Sequence, residues 1–189
     1  MSTPSSFAIE LPDGVLAQAR RGDHRAFEQI YRSFERPVFT LATRMLGDRD
    51  EAMEVLHDAM LRVFHALAEF RGDSPFWGWL RQIAVNEALM RLRRRGRIEY
   101  VDELPEPVDS HIAPLPPMAA ESGALGRALA QLSDTTRGVL WLYHGEGYTH
   151  EEIAALMGRS TSFSKTQVLR GTRRLRELLN VTIEETSHV

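Results

Sequence analysis

The chain has 189 residues, 43% hydrophobic and 26% charged, with a net charge of −3, which suits one medium soluble domain or two small ones. It contains no cysteine, which excludes disulfides, thiolate nucleophiles and thiolate metal ligands. No apolar run approaches the roughly 20 residues of a membrane span, and the first residues lack the basic-then-apolar pattern of a secretory signal, so a cytoplasmic protein with no membrane partner is expected.

Strand signals are nearly absent and the apolar periodicity is helical almost throughout, so an all-α fold is expected. Asp13 is positioned to cap a short helix ending before Gly22. Asp23 is positioned to cap a long one with Phe27, Ile30, Tyr31, Phe34, Val38, Leu41, Ala42 and Met45 on one face, closed by Gly47 and kinked at Pro37. After Asp48 or Asp50 comes a third helix, with Ala52, Val55, Leu56, Ala59, Val63 and Leu67 at helical spacing. The stretch FRGDSPFW breaks it, and a fourth helix is expected from about Phe76 to Arg95.

Residues 97–121 carry Pro105, Pro107, Pro114, Pro116 and Pro117 among six acids and the single Arg97. That density of proline forbids helix and strand alike, so the segment reads as a flexible acidic linker. It parts two small helical domains, an N-terminal bundle at 10–96 and a second domain at 122–180. The segment holds −5 of the net −3, leaving the rest of the chain at +2. The positive charge is clustered at Arg91, Arg93, Arg94 and Arg95, and again at Lys165, Arg170, Arg173, Arg174 and Arg176. Almost all of it is arginine, whose fork suits phosphate and guanine edges.

In the second domain one helix carries Leu125, Ala128, Leu129 and Leu132, and another, after Asp134, carries Val139, Leu140, Leu142 and Tyr143, with Trp141 expected in the core. Gly145 and Gly147 mark a turn. Thr149-His150-Glu151-Glu152 has the form of a capping box, opening a helix that Gly158 ends. Ser160 or Ser162 then starts a last helix running to about Leu179. A short capped helix, a glycine turn and a longer basic helix make a helix-turn-helix pattern, whose second helix reads a major groove. On that second helix Val168, Gly171, Thr172, Leu175 and Leu179 are expected to face inward. Ser164, Lys165, Gln167, Arg170, Arg173 and Arg174 are expected to face DNA, with Ser162 and the open N–H groups beside it available to a phosphate.

Two stretches, GDHRAFEQIYRSFERPVFTLATRML with FRGDSPFWGWLRQIAVNEALMRLRRR, and GYTHEEIAALMGRSTSFSKTQVLRGTRRLRELL, resemble in that order the two conserved regions of extracytoplasmic-function (ECF) sigma factors of the sigma-70 family. The resemblance covers about residues 12–179. It implies a transcription-initiation subunit that is not an enzyme, binds core RNA polymerase and promoter DNA, and needs no cofactor or metal. An inhibitory anti-sigma protein is a further partner that the family implies. Domain one would dock on the polymerase through Glu51–Leu67, with Asp50, Glu51, Glu54, His57 and Asp58 as its polar contacts. It would read the melted −10 strand with Phe76–Arg95. Single-strand recognition needs aromatic faces and a basic groove; Phe76, Trp77, Asn86, Arg91 and Arg94 are the expected −10 set, with Trp79 assigned to the core. The second domain would read the −35 duplex.

The family's acidic cluster at the docking helix is matched by Glu51, Ala52, Met53 and Glu54, so methionine replaces one acid, and no Ser, Thr or Tyr lies between Asp48 and Asp73 to restore charge by phosphorylation. Gln167 stands where Arg is common and Gly171 where Ala is common. Two other functional classes fit the residues less well. Glu54-x-x-His57 has the spacing of a di-iron ligand pair, but no second such pair lies on a plausible helix. A stand-alone operator-binding helix-turn-helix regulator would need a dimer interface for paired half-sites.

Overall fold

The computed structural model describes residues 9–94 and 122–179, and within them the chain is helical and without strands. The chain divides into two compact units, one up to residue 99 and one from residue 100. The acidic segment 97–121 and Arg95 lie outside the described residues.

The first unit holds α1 (Val15–Arg20), α2 (His24–Leu46), α3 (Arg49–Ala66) and α4 (Phe76–Arg94), with a 3-10 turn at Leu67–Glu69 closing α3. Asp13 does not cap α1. Gly14 takes that position at φ +83° with no side-chain cap, in a backbone region open to glycine and strained for other residues. Asp23 caps α2 through the Arg25 and Ala26 amides, and Asp48, not Asp50, caps α3 through the Asp50 and Glu51 amides. Pro37 sits inside α2 without ending it, and Gly47 closes the helix.

The stripe Ile30, Phe34, Val38, Leu41, Ala42 and Met45 of α2 is almost completely buried. Helices α1, α3 and α4 all pack on α2, and α3 packs on α4. Each large side chain fully buried there contributes about 1.5–3 kcal/mol. Arg20 ties α1 to the end of α3, donating to the Leu67 and Phe70 carbonyls while lying over the Phe70 ring.

The second unit holds α5 (Ser122–Ala130), α6 (Asp134–Leu140), α7 (His150–Met157) and α8 (Thr161–Leu178). A π-helical turn, Trp141–Gly145, extends α6. Ser133 caps α6, and Asp134 in its first turn pairs instead with the buried Arg137 at 2.5 Å. Trp141 is buried, its indole N–H donating to the buried Glu146 carboxylate at 3.2 Å. The capping box at Thr149 and Glu152 is formed in both directions. Gly158 ends α7 at φ +64°, and Ser160 caps α8 through the Phe163 amide.

Helix α8 packs on α6 and α7. Its approach to α6 is closest at Gly171, where an added Cβ would lie 2.4 Å from Leu140 Cδ1 and 2.6 Å from Thr136 Cγ2. Gly171→Ala should therefore lower stability. The overpacking cost of about 1–3 kcal/mol outweighs the helix-propensity gain of about 1 kcal/mol. Urea unfolding of the full chain gives the sign, and a stabilised variant would show that α6 and α8 separate freely at this point.

Candidate nucleic-acid and polymerase interfaces

The helix-turn-helix consists of α7, the turn Gly158–Ser160 and α8. Val168, Gly171, Thr172 and Leu175 of α8 are buried as expected, while Leu179 is half-buried. Ser162, Lys165, Arg170, Arg173 and Arg174 are exposed. Two of the expected DNA-facing residues are not. Ser164 is 0% and Gln167 5% exposed, and the outward assignment of both is corrected.

The physical reason is that each polar side chain meets a polar partner inside the unit. Ser164 Oγ lies 3.0 Å from His150 Nδ1, and Thr136 Oγ1 donates to Gln167 Oε1 at 2.7 Å. A buried polar group bonded in this way avoids the penalty that would otherwise drive it outward. These bonds fix the rotation of α8 about its axis, and they bring Thr166 and Leu169, both half-exposed, to the flank of the outward face. The sequence reading missed these two. Leu169 stands one helical turn from Lys165, but as an apolar residue it was not sorted to the outward face.

Two histidines hold α8 from the adjoining elements. His150, at the first position of α7, stacks on Tyr143 with ring centres 4.4 Å apart. His144 Nε2 lies 3.3 Å from Thr172 Oγ1. Burial, then the neighbouring His150 and Arg176, hold the His144 pKa below the usual imidazole value; burial and Lys165 do the same for His150. Both imidazoles thus favour the neutral form that a packed interior requires. Along the outward edge of α8, Arg173 and Arg174 share the exposed carboxylate of Glu177.

On α4 the aromatic assignments are reversed. Phe76 and Trp77 are 8% and 5% exposed, whereas Trp79 is only half-buried. Trp77 stacks on Phe34 at 5.9 Å with the rings 3° from parallel, and Phe76 packs against Phe34, Phe70 and Trp79. The expected contact of Phe76 and Trp77 with −10 bases is therefore corrected to core packing. Asn86, Arg93 and Arg94 are exposed along the rest of α4.

The outward side of α3 presents Asp50, Glu54 and His57 exposed, with Glu51 and Asp58 half-exposed. Between them run Met53, Leu61 and Phe64, at 42%, 56% and 43% exposure, the exposed large hydrophobic side chains among the described residues. Phe64, three positions before Leu67, overlaps the inward stripe in spacing; Leu61 does not, and helical spacing alone places it outward. Phe64 is steadied edge-on by Phe27, with ring centres 4.9 Å apart.

Arg91 joins the two helices. Its guanidinium bridges Glu54 and Asp58, the second at 2.6 Å, and its side chain is only 17% exposed. Burial works to lower its pKa, and the hydrogen bonds it donates to the Asp58 and Glu54 carboxylates, with their charges, more than offset this, holding it above the usual arginine value. An expected DNA contact is thus paired with two expected polymerase contacts. Among the described residues no group of three or more His, Asp or Glu is arranged to hold a metal ion.

The comparisons agree with this architecture. Residues 30–98 match the model of Sigma-70 region 2, and residues 122–186 that of Sigma-70 region 4. The chain is 30% identical to the ECF RNA polymerase sigma factor SigE of Mycolicibacterium smegmatis, over 93% of this chain and 71% of that protein. It is 26% identical to the RNA polymerase sigma-H factor of Pseudomonas aeruginosa, over 90% and 95% of the two chains. Among solved structures it is similar to the sigma factor RpoE in complex with the anti-sigma factor NepR from Bartonella quintana, with a TM-score of 0.56 and 26% identity over 83% of this chain and 98% of that one. It is also similar to CnrH in complex with the cytosolic domain of CnrY, with a TM-score of 0.51 and 26% identity over 88% and 96%. The chain belongs to the sigma-70 family, as an ECF sigma factor that binds core RNA polymerase and directs promoter recognition.

Proposed function

We propose that the outward side of α3 is the polymerase-docking surface, that α4 reads the melted −10 strand, and that α8 reads the −35 duplex. The observation that carries this reading is the stripe of exposed Met53, Leu61 and Phe64 set among acids on one helix of a small unit. Exposed apolar side chains ringed by charge mark protein contact surfaces. The basic end of α4 and the basic face of α8 carry the sign opposite to that of α3 and suit phosphate. The chain is not an enzyme; its work is binding and placement. Its place of action is the cytoplasm, where polymerase and promoter are found, and no helix among the described residues is long and apolar enough to cross a membrane. A protein inhibitor is proposed as a further partner, because the RpoE structure to which the chain is similar is a complex with an anti-sigma factor.

The −10 surface is proposed at Asn86 and Arg94, flanked by the half-exposed Trp79, with Phe76 and Trp77 behind it as support. The −35 surface is proposed at Ser162, Lys165, Thr166, Leu169 and Arg170, with Arg173 and Arg174 toward phosphate. Ser164 and Gln167 set the rotation of this helix.

Met53→Arg with Leu61→Arg should abolish co-purification with core polymerase while changing stability by no more than about 0.5 kcal/mol, because both side chains are exposed. An undiminished pull-down would move the docking surface elsewhere.

Transcription by reconstituted holoenzyme on −35 point variants separates the roles of α8. Arg170→Ala should relax the preference at one base position, costing about 1–3 kcal/mol on the best promoter and less on its single-base variant. Gln167→Ala, which leaves Thr136 without that acceptor, should lower stability by about 1 kcal/mol and reduce every template alike. A base-specific effect of Gln167→Ala would restore it to the reading face.

A further inference from the structure

The ion-paired cluster between α3 and α4 joins residues that the proposed function assigns to two different partners. Glu54 and Asp58 lie one helical turn apart on α3, a spacing at which like charges repel, and the Arg91 guanidinium lies between them. The acids face outward, their side chains 62% and 48% exposed, while Arg91 is 17% exposed. A cation arriving from outside therefore meets the carboxylates first.

Resting on the reading of α3 as docking helix and α4 as −10 helix, we propose that Arg91 is a DNA phosphate contact held in reserve. In the free chain Glu54 and Asp58 mask its guanidinium. When cationic groups of the polymerase take those acids, Arg91 passes to the backbone of the single strand.

Three features make the exchange feasible. Ion pairs with exposed partners contribute little, so trading one for another costs little. The masked position leaves the buried Arg91 Nε without an acceptor, so it is not a fully satisfied site. Arg91 and Arg94, one turn apart, line the same cleft of about 220 Å3 between α3 and α4, where an anion set between them relieves their repulsion. The remaining carboxylate in that cleft, Glu87, is already paired with Arg62 and does not recapture the released guanidinium. By linkage the effect is reciprocal: a strand that engages Arg91 frees the acids for polymerase.

The test measures binding of the full chain to a short labelled single-stranded DNA by fluorescence anisotropy over a salt series. Glu54→Gln with Asp58→Asn should bind roughly threefold tighter, as expected for release of two weak pairs whose carboxylates are exposed. The slope of log K against log salt should steepen by about 0.7, the value for one added phosphate contact on a single strand. Adding Arg91→Gln should remove both gains. A charge-matched control, Glu35→Gln with Glu69→Gln at exposed positions of the same unit, should reproduce neither. A gain that survives Arg91→Gln, or that the control matches, overturns the masking. If Asn86→Ala and Arg94→Ala leave strand binding unchanged, or no variant binds, the −10 assignment of α4 fails first and the proposal falls with it.

Discussion

Burial of one face of α2 organises the first unit. Phe34 is fully buried at the middle of that face, and Phe76 and Trp77 close over it from the start of α4. Helices α1, α3 and α4 each spend their apolar faces on α2, or on each other, so what remains outside is fixed by subtraction. For α3 the remainder is a mixed apolar and acidic surface; for α4 it is Asn86, half of Trp79 and a basic end. The aromatic pair that would serve best as a base platform is consumed in holding α4 in place. Interior packing is close to crystalline in density, and rings so placed do not swing out to stack on bases.

In the second unit polar groups do comparable work. Helix α8 is fastened to its neighbours by Ser164 with His150, Gln167 with Thr136 and Thr172 with His144, around the close approach at Gly171. Hydrogen bonds are directional where hydrophobic contact is not. A ring of them therefore fixes how a helix is turned about its own axis, and that turn decides which side chains can reach a groove. Gly171 and Gln167, the two departures from the family pattern on this helix, both lie at its junction with α6. Both are buried, so what they adjust is the packing of α8 on α6.

The net charge of −3 conceals a division of labour. Acids are gathered on the outward side of α3 and arginines on the end of α4 and along α8, so one small chain presents surfaces of opposite sign. Arg91 lies at the seam. Because one guanidinium serves both carboxylates, the two surfaces of the first unit are electrostatically joined and do not act as independent patches.

Most of the fold was legible in the residues. Helical periodicity, the caps at Asp23 and Thr149 and the stops at Gly47 and Gly158 are local signals, because capping and left-handed geometry act within a few residues; at Asp48 and Ser160 the residues offered a second cap two positions on, and the structure decided between them. The order of two regional motifs, with a proline-rich acidic stretch between, gave the family for the same reason. The site was less legible. Polarity placed Ser164 and Gln167 outside, and the family resemblance placed Phe76 and Trp77 against −10 bases. All four are buried, because partners 14 and 31 residues away in the first case, and Phe34 in the second, offered them a satisfied interior. The sequence by itself determined which segments are helical and, to within about two residues, where they begin and end. Only the tertiary structure decided which face of each helix reaches solvent, since that depends on what the neighbouring helices bring to meet it.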